Sequence, residues 1–351
     1  MRTMLLAIAA LLAATTAGRA ADGLSKGSPE LKSATTLAFG PHGLLFVGDS
    51  QGAAIYAIDT GDAKPAGEKP VNVERIDAKL AGVLGVTEKE VKINDVKVNP
   101  ASGNVYLAVT RGMGAGQPAI VKVGRDGNLE PLALKDVMFA RVSLPNASEK
   151  QRAQSITSMA FVGGRLFVAG LSNEEFASTL RAIPYPFKDA DKGSAIEIFH
   201  GAHGKVETNA PIRTFTPYKI GGEENIIASY TCTPLVKIPV SELKAGARVK
   251  GTTIAELGNR NQPLDMIAYT KDGKDYLLSA NSRHGVIKIP TESFASAEGI
   301  TKPVKTDTAG VKYEKITELA NVVQLDKLDD ARAILLVKHD AGFDLKTVPL
   351  P

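Results

Sequence analysis

The stretch DYLLSANSRHGVIKIP (Asp275–Pro290) is a strand, a tight turn and a strand, and the same unit returns along the chain. Tyr276–Ser279 is a short apolar run, Asn281–Gly285 a polar turn cluster and Val286–Ile289 a β-branched run. Such runs broken by turn residues read as paired antiparallel strands. The preceding QPLDMIAYTKDG (Gln262–Gly273) supplies a third strand through a Lys-Asp-Gly turn. The unit recurs as LLFVGDSQGAAIYAID after TTLAFGPHG, as VYLAVTRGMGAGQPAIVKV after INDVKVNPASGN, and as RLFVAGLSNEEFASTLRAI after SITSMAFVGG. NIIASYTCTPLVKIPV and AILLVKHDAGFDLKTV complete six copies. The copies are about 50 to 60 residues apart, within or just above the repeat length of propeller blades. NVERIDA, NLEPLAL, AIEIFHG, TTIAELG and KITELA are the expected outer strands.

A repeated half-buried sheet buries its faces by stacking on its neighbours, and a radial stack leaves few open edges. The fold class predicted is therefore all-β, a six-bladed β-propeller of four-stranded antiparallel blades, or a seven-bladed one if a degenerate copy escapes notice. The absence of Trp argues against Trp-Asp repeats. The last copy stops after three strands, so closure is expected from an N-terminal strand within Leu24–Leu37. Helical spacing is confined to Asp77–Glu90 and Pro145–Arg152. PLDMIAYTKDGKDYLLSANSRHGVIKI resembles a blade of the NHL type or of the six-bladed gluconolactonase type, a resemblance at the level of fold.

Residues 1–20 read as a signal peptide: Arg2, the apolar core Met4–Ala14, and Gly18-Arg19-Ala20 before a cleavage near Ala20. Residues 21–351 then form a single propeller domain with a long insertion around 184–210. The protein is expected to be periplasmic or secreted, a soluble monomer without membrane insertion. Removing Arg2 and Arg19 leaves 40 basic against 38 acidic side chains, a charge of about +2. That balance, with dispersed lysines, excludes a nucleic-acid footprint. RGMGAG (Arg111–Gly116) lies between two strands and opens no helix, so it is no phosphate loop.

Aligning the copies on their turns predicts which residues meet at the channel face. The starts of the innermost strands bring Thr35, Asn94, Thr157, Arg213, Asp265 and Asn321 into one ring. The second strands end at Asp49, Thr110, Leu171, Tyr230, Asn281 and His339, with Arg111, Arg283, His284 and Cys232 in the turns beyond. Polar residues in a channel are often only hydrated or bonded to neighbouring backbone. Three arginines at one mouth nonetheless fit a carboxylate, phosphate or sulfate. The functional expectation is a small, anionic ligand or a periplasmic protein partner held by Asn94, Arg111, Arg213, Tyr230, Asp265, Asn281, Arg283, His284 and His339. Tyr230 would stack or donate, and Asp265 would orient Arg213 or a ligand hydroxyl.

The alternative is a metal-dependent enzyme on the same face, with calcium or a transition metal as the cofactor. Cys232, His284 and His339 occupy near-equivalent turns and offer a soft ligand set for copper or zinc. His200 and His203, in FHGAHGK, form a second pair, although a lone HxxH needs further ligands to make a site. The lactonase resemblance implies a channel calcium, for which Asn94, Asp265, Asn281 and Asn321 would supply oxygens. Thr35 stands where that family's early Glu would be, and Arg213 would oppose a cation.

Overall fold

The Lys-Asp-Gly-Lys turn shows how local sequence sets the sheets. In the computed structural model, which describes residues 23–232 and 234–351, Lys271 pairs with Lys274 while Asp272 (φ 52°) and Gly273 (φ 74°) are both left-handed. Two left-handed central residues match the twist of the flanking strands, which is why Asp-Gly favours hairpins. Pro263–Lys271, Lys274–Asn281 and Gly285–Pro290 follow one another antiparallel, and Glu314–Ile316 covers the outer edge. This is blade five. The predicted signal peptide lies outside the described residues.

Five further small sheets follow the same plan, so the described chain is a six-bladed β-propeller, with Ile76–Leu84 as its one α-helix. Blade two is Val91–Val98, Val105–Arg111, Gln117–Val123 and Leu129–Pro131. Blade three is Ser158–Val162, Arg165–Leu171, Ser178–Pro184 and Ser194–His200, extended by Lys205–Glu207. Arg248–Lys250 also adds to Ser194–His200 in parallel. Blade four is Ile212–Ile220, Glu223–Tyr230, Pro234–Pro239 and Thr252–Glu256, with Ala309–Gly310 on its edge. Blade six keeps three strands, Val322–Lys327, Arg332–His339 and Gly342–Pro349.

Blade one departs from the expected plan. Thr36–Phe39, Leu44–Asp49 and Ala54–Asp59 are its inner strands, but its fourth strand is Val137–Ser143, which the chain reaches only after completing blade two. The blades therefore do not follow one another in chain order around the ring. Apolar clusters form at six interfaces: one–two, two–six, six–five, five–four, four–three and three–one. Blade two sits between blades six and one.

The closure expected from Leu24–Leu37 is corrected accordingly. Ser25–Gly27 pairs with Val137–Ser143 at the edge of blade one. The open side of blade six is met by Val73, which bridges Leu345, with Val71 N–H donating to Thr347 Oγ1 at 2.8 Å. NVERIDA is thus the closing contact of another blade, not the outer strand of its own. Ile76–Leu84 then turns Ile76, Leu80 and Leu84 onto blades two and six, an apolar stripe at helical spacing.

Candidate metal centre

The channel was the first expected site, and its polar residues are largely spent on joining blades. Asp95 accepts the N–H of Leu37 (2.7 Å), Asp326 that of Val98 (2.7 Å) and Asp265 that of Leu325 (3.3 Å). Each carboxylate thus links its own innermost strand to the neighbouring blade's. Lys97 stands among them, 3.3 Å from Asp265 and 3.8 Å from Asp95. Burial alone would depress the ammonium, but Asp265, Asp95 and Asp326 outweigh it and raise its pKa. Burial pushes Asp95 up to about 7 against the pull of Lys97. Asn94 donates to Ala34 O at 2.8 Å, and Thr157 to Ile212 O at 2.6 Å.

The expected ring is also off register at two positions. Bulges between Ile93 and Asp95, Ile212 and Thr214, Pro263 and Asp265, and Val322 and Gln324 make Asn94, Arg213, Leu264 and Val323 the equivalent residues. An extra residue re-aims every side chain beside it, so Asp265 lies one place beyond the ring and Asn321 two places before it. The calcium set implied by the lactonase resemblance is not brought together. Asp265 holds Lys97, Asn281 is buried against Asn261 (3.0 Å), and Asn321 lines a cleft between blades five and six.

Other expected ligand residues divide between sites. Arg213 lines the channel mouth, whereas Asn281, Arg283, His284 and His339 line the cleft. Arg111 caps the helix end, donating to Leu84 O at 3.2 Å. Tyr230 is 1% exposed within the core between blades three and four, so it is no stacking platform.

The expected trio Cys232, His284 and His339 is replaced by a different one. His339 Nε2 is 3.0 Å from Asp344 Oδ1, and His284 stays with the cleft. Cys232 instead meets His200 and His203, with one donor atom from each within 4.8 Å of the others. The hairpin of Ser194–His200 and Lys205–Glu207 brings the histidines there. Ile198 pairs with Glu207 and His200 with Lys205, so His200, two residues from Ile198, shares the face of Glu207. His203 sits in the turn between. Cys232 comes from the turn after Glu223–Tyr230, in a left-handed conformation (φ 62°), its N–H donating to Asn261 O at 2.8 Å. A non-glycine residue there carries local strain, a feature of sites where side-chain direction matters.

One carboxylate fixes both imidazoles. Glu207 Oε2 lies 2.9 Å from His200 Nδ1, and Oε1 lies 2.7 Å from His203 Nδ1. Burial opposes the Glu207 charge, but the hydrogen bonds of His203 and His200 prevail and hold the carboxyl below its usual range. An ionised carboxylate only accepts, so each Nδ1 carries a proton toward Glu207. Burial depresses the His200 pKa despite Glu207, keeping the ring neutral. The two rings lie close together, with centroids 3.8 Å apart.

Beneath them, Glu256 is 1% exposed, and its Oε1 accepts the Gly201 N–H at 2.6 Å. A Cβ on Gly201 would stand 3.0 Å from that oxygen and 2.8 Å from Val304 Cγ2, so only glycine allows this approach. Burial raises the Glu256 carboxyl to about 7 against the pull of the Gly201 and Ala202 N–H groups. Glu256 Oε2 and His200 Nε2 face each other at 3.8 Å, and both are buried without a hydrogen-bond partner among the described residues. Unpaired buried polar atoms are costly and rare. Here two of them face each other beneath the histidine pair.

No protein-family model matches the chain, and no curated protein does. Solved structures match as folds. The hydrazine synthase of Kuenenia stuttgartiensis is 11% identical over 92% of this chain and 97% of that one, with a TM-score of 0.40. The PQQ-bound aldose sugar dehydrogenase of Streptomyces coelicolor is 12% identical over the same shares, with a TM-score of 0.33. An engineered GH43 glycoside hydrolase is 8% identical over 75% of this chain, with a TM-score of 0.39; this chain spans about half (51%) of its length. These are distant neighbours of a six-bladed β-propeller, and they assign no specific family.

Two imidazoles oriented by a shared carboxylate, with a thiol close by, make a donor set for a borderline or soft cation. Tetrahedral donors about 2.0–2.3 Å from a metal lie about 3.5 Å apart, so closing the trio needs a shift of only about 1 Å. His200 is 2% exposed at its side chain and His203 44%, so the centre is buried on one side and open on the other. The sequence signals for it were HxxH, which named two of the three donors, and the turn alignment, which named Cys232 but gave it other partners.

Proposed function

We propose that this chain is an exported transition-metal protein whose centre is Cys232, His200 and His203, with Glu207 as the carboxylate that aims both histidines. The observation that carries the reading is the convergence of one donor atom each from Cys232, His200 and His203 within 4.8 Å, beside a carboxylate that binds both Nδ1 atoms. Metal-bound histidines are commonly oriented in this way. A set of one thiolate and two imidazoles favours copper over zinc, since copper forms the tighter complexes across nitrogen and sulfur ligands. The open side at His203 suits electron exchange at copper, or a water or substrate at zinc. Export is supported by the residue pattern of positions 1–20.

Elemental analysis of protein purified without chelator or nickel resin, with metal titration of the apoprotein, is the test. Stoichiometric copper with an intense thiolate-to-copper(II) absorption band, lost in Cys232→Ser, is expected. Stoichiometric zinc with the same dependence keeps the centre and changes its chemistry. Failure to bind either metal stoichiometrically, or unchanged binding in Cys232→Ser, overturns the reading.

A further inference from the structure

We infer that the cleft between blades five and six binds an organic anion with an apolar body, gripped by Arg283, Lys315 and Lys338. The cleft encloses about 880 Å3, within the size of small-molecule sites. Its floor is apolar, with Leu264, Leu319, Val322 and Val323 contributing. Two of these, Leu264 and Val323, take the bulge positions that hold Asn94 and Arg213 in blades two and four, so the ring turns apolar where it borders the cleft. The walls are cationic. None of the three cations forms an ion pair among the described residues, and Arg283 Nη1 is committed only to the Asn259 carbonyl at 2.9 Å. Asp340 is the one carboxylate in the lining, and His339 is already paired with Asp344.

The neighbourhood bears this out on other grounds. Burial lowers the His284 pKa, and Lys315 and Arg283 lower it further against Asp307, as a positive local potential would. Unpaired cations above an apolar floor offer charge to a head group and burial to a body. A neutral apolar ligand would leave the cations unused, and an inorganic anion would leave the floor wet.

The cleft does not depend on the metal centre, but the two share a support. Asn261, fully buried, accepts the Cys232 N–H on its carbonyl, accepts the Arg283 N–H on Oδ1 (2.9 Å) and donates to Asn281 Oδ1 (3.0 Å). One asparagine therefore holds the thiol's turn and the cleft's wall.

Isothermal titration calorimetry on the metal-free full chain, at low salt and neutral pH, tests the inference. The probes are 2-naphthoate, naphthalene-2-sulfonate, 2-naphthyl phosphate and neutral 2-naphthol. At least one anion is expected to saturate, with 2-naphthol weaker by about tenfold or more, the value of a charged hydrogen bond. The preferred anion identifies the head group. Arg283→Gln with Lys338→Gln should weaken that anion by about tenfold or more at unchanged circular dichroism and melting temperature. Should the double variant unfold, Lys338→Gln alone, at an exposed position, is expected to weaken it measurably. No saturable anion binding, equal affinity for 2-naphthol, or unaltered affinity in the folded variants overturns the inference. Because the metal is absent throughout, failure here leaves the metal reading standing.

Discussion

The channel and the rim of blade three both gather charged side chains in partly buried surroundings, and they resolve them in opposite ways. In the channel, Asp95, Asp265 and Asp326 each receive backbone N–H groups from a neighbouring blade, and Lys97 supplies the countercharge. The Lys97 ammonium and these backbone donors all meet carboxylate acceptors. At the rim, Glu207 is satisfied by two histidines, but His200 Nε2 and Glu256 Oε2 are buried without a hydrogen-bond partner among the described residues, and the Cys232 thiol converges on the two histidines. A closed polar network specifies a fold, whereas an open one marks a place for something else.

Removing Lys97 gives the largest expected effect. Lys97→Met leaves three carboxylates near the axis without a cation and should cost about 3–5 kcal/mol in urea unfolding, the usual toll of stranding buried charge. Since the channel is not the metal centre, copper or zinc bound per folded chain should not change. Loss of metal with intact stability would reverse the comparison.

Cys232→Ser should act the other way round. Metal affinity is expected to fall by more than about 100-fold, beyond what outer-shell changes cause, while the apoprotein unfolds within about 1 kcal/mol of the parent, as for a half-exposed turn. Competition with a chelator of known affinity measures the first, urea the second.

Glu207→Gln sharpens the claim that the carboxylate aims the histidines. A neutral amide cannot accept from both rings with equal strength, so affinity should drop about 10- to 100-fold. The absorption band of a copper form should shift without vanishing. An affinity equal to the parent's would make Glu207 a bystander.

The smallest effect is a pH dependence from the channel. Asp95 titrates at about 7 in the folded protein, above its unfolded value. Its contribution to stability is therefore complete below about pH 4 and is lost as pH rises through about 7. Water reaching Lys97 through the channel, where its side chain is 19% exposed, moderates the slope. Urea midpoints between these limits should decline with pH, and Asp95→Asn should flatten the decline.

Much of the fold was legible because its signals are local. Asp272-Gly273 announced a hairpin through its own backbone preferences, and AIEIFHG and TTIAELG were expected as outer strands from their place between copies, as was KITELA, of which only Lys315 and Ile316 lie in the strand. The metal set was misassigned for a related reason. Turn equivalence placed Cys232 with His284 and His339, but the histidines that reach it stand on the insertion hairpin of blade three, which no repeat alignment covers. Asp265 slipped by one place because a bulge leaves no mark in the residue pattern.

What the sequence by itself determined is the repeated sheet unit, since strand and turn preferences act over a few residues, whereas the choice of six blades over seven came with the structure. Only the tertiary structure decided that blade two lies between blades six and one, that Val73 meets Leu345, and that Cys232 stands beside His200 and His203. Those contacts join residues far apart in the chain. Their free energy comes from burying the complementary faces of whole blades, a property no short stretch possesses.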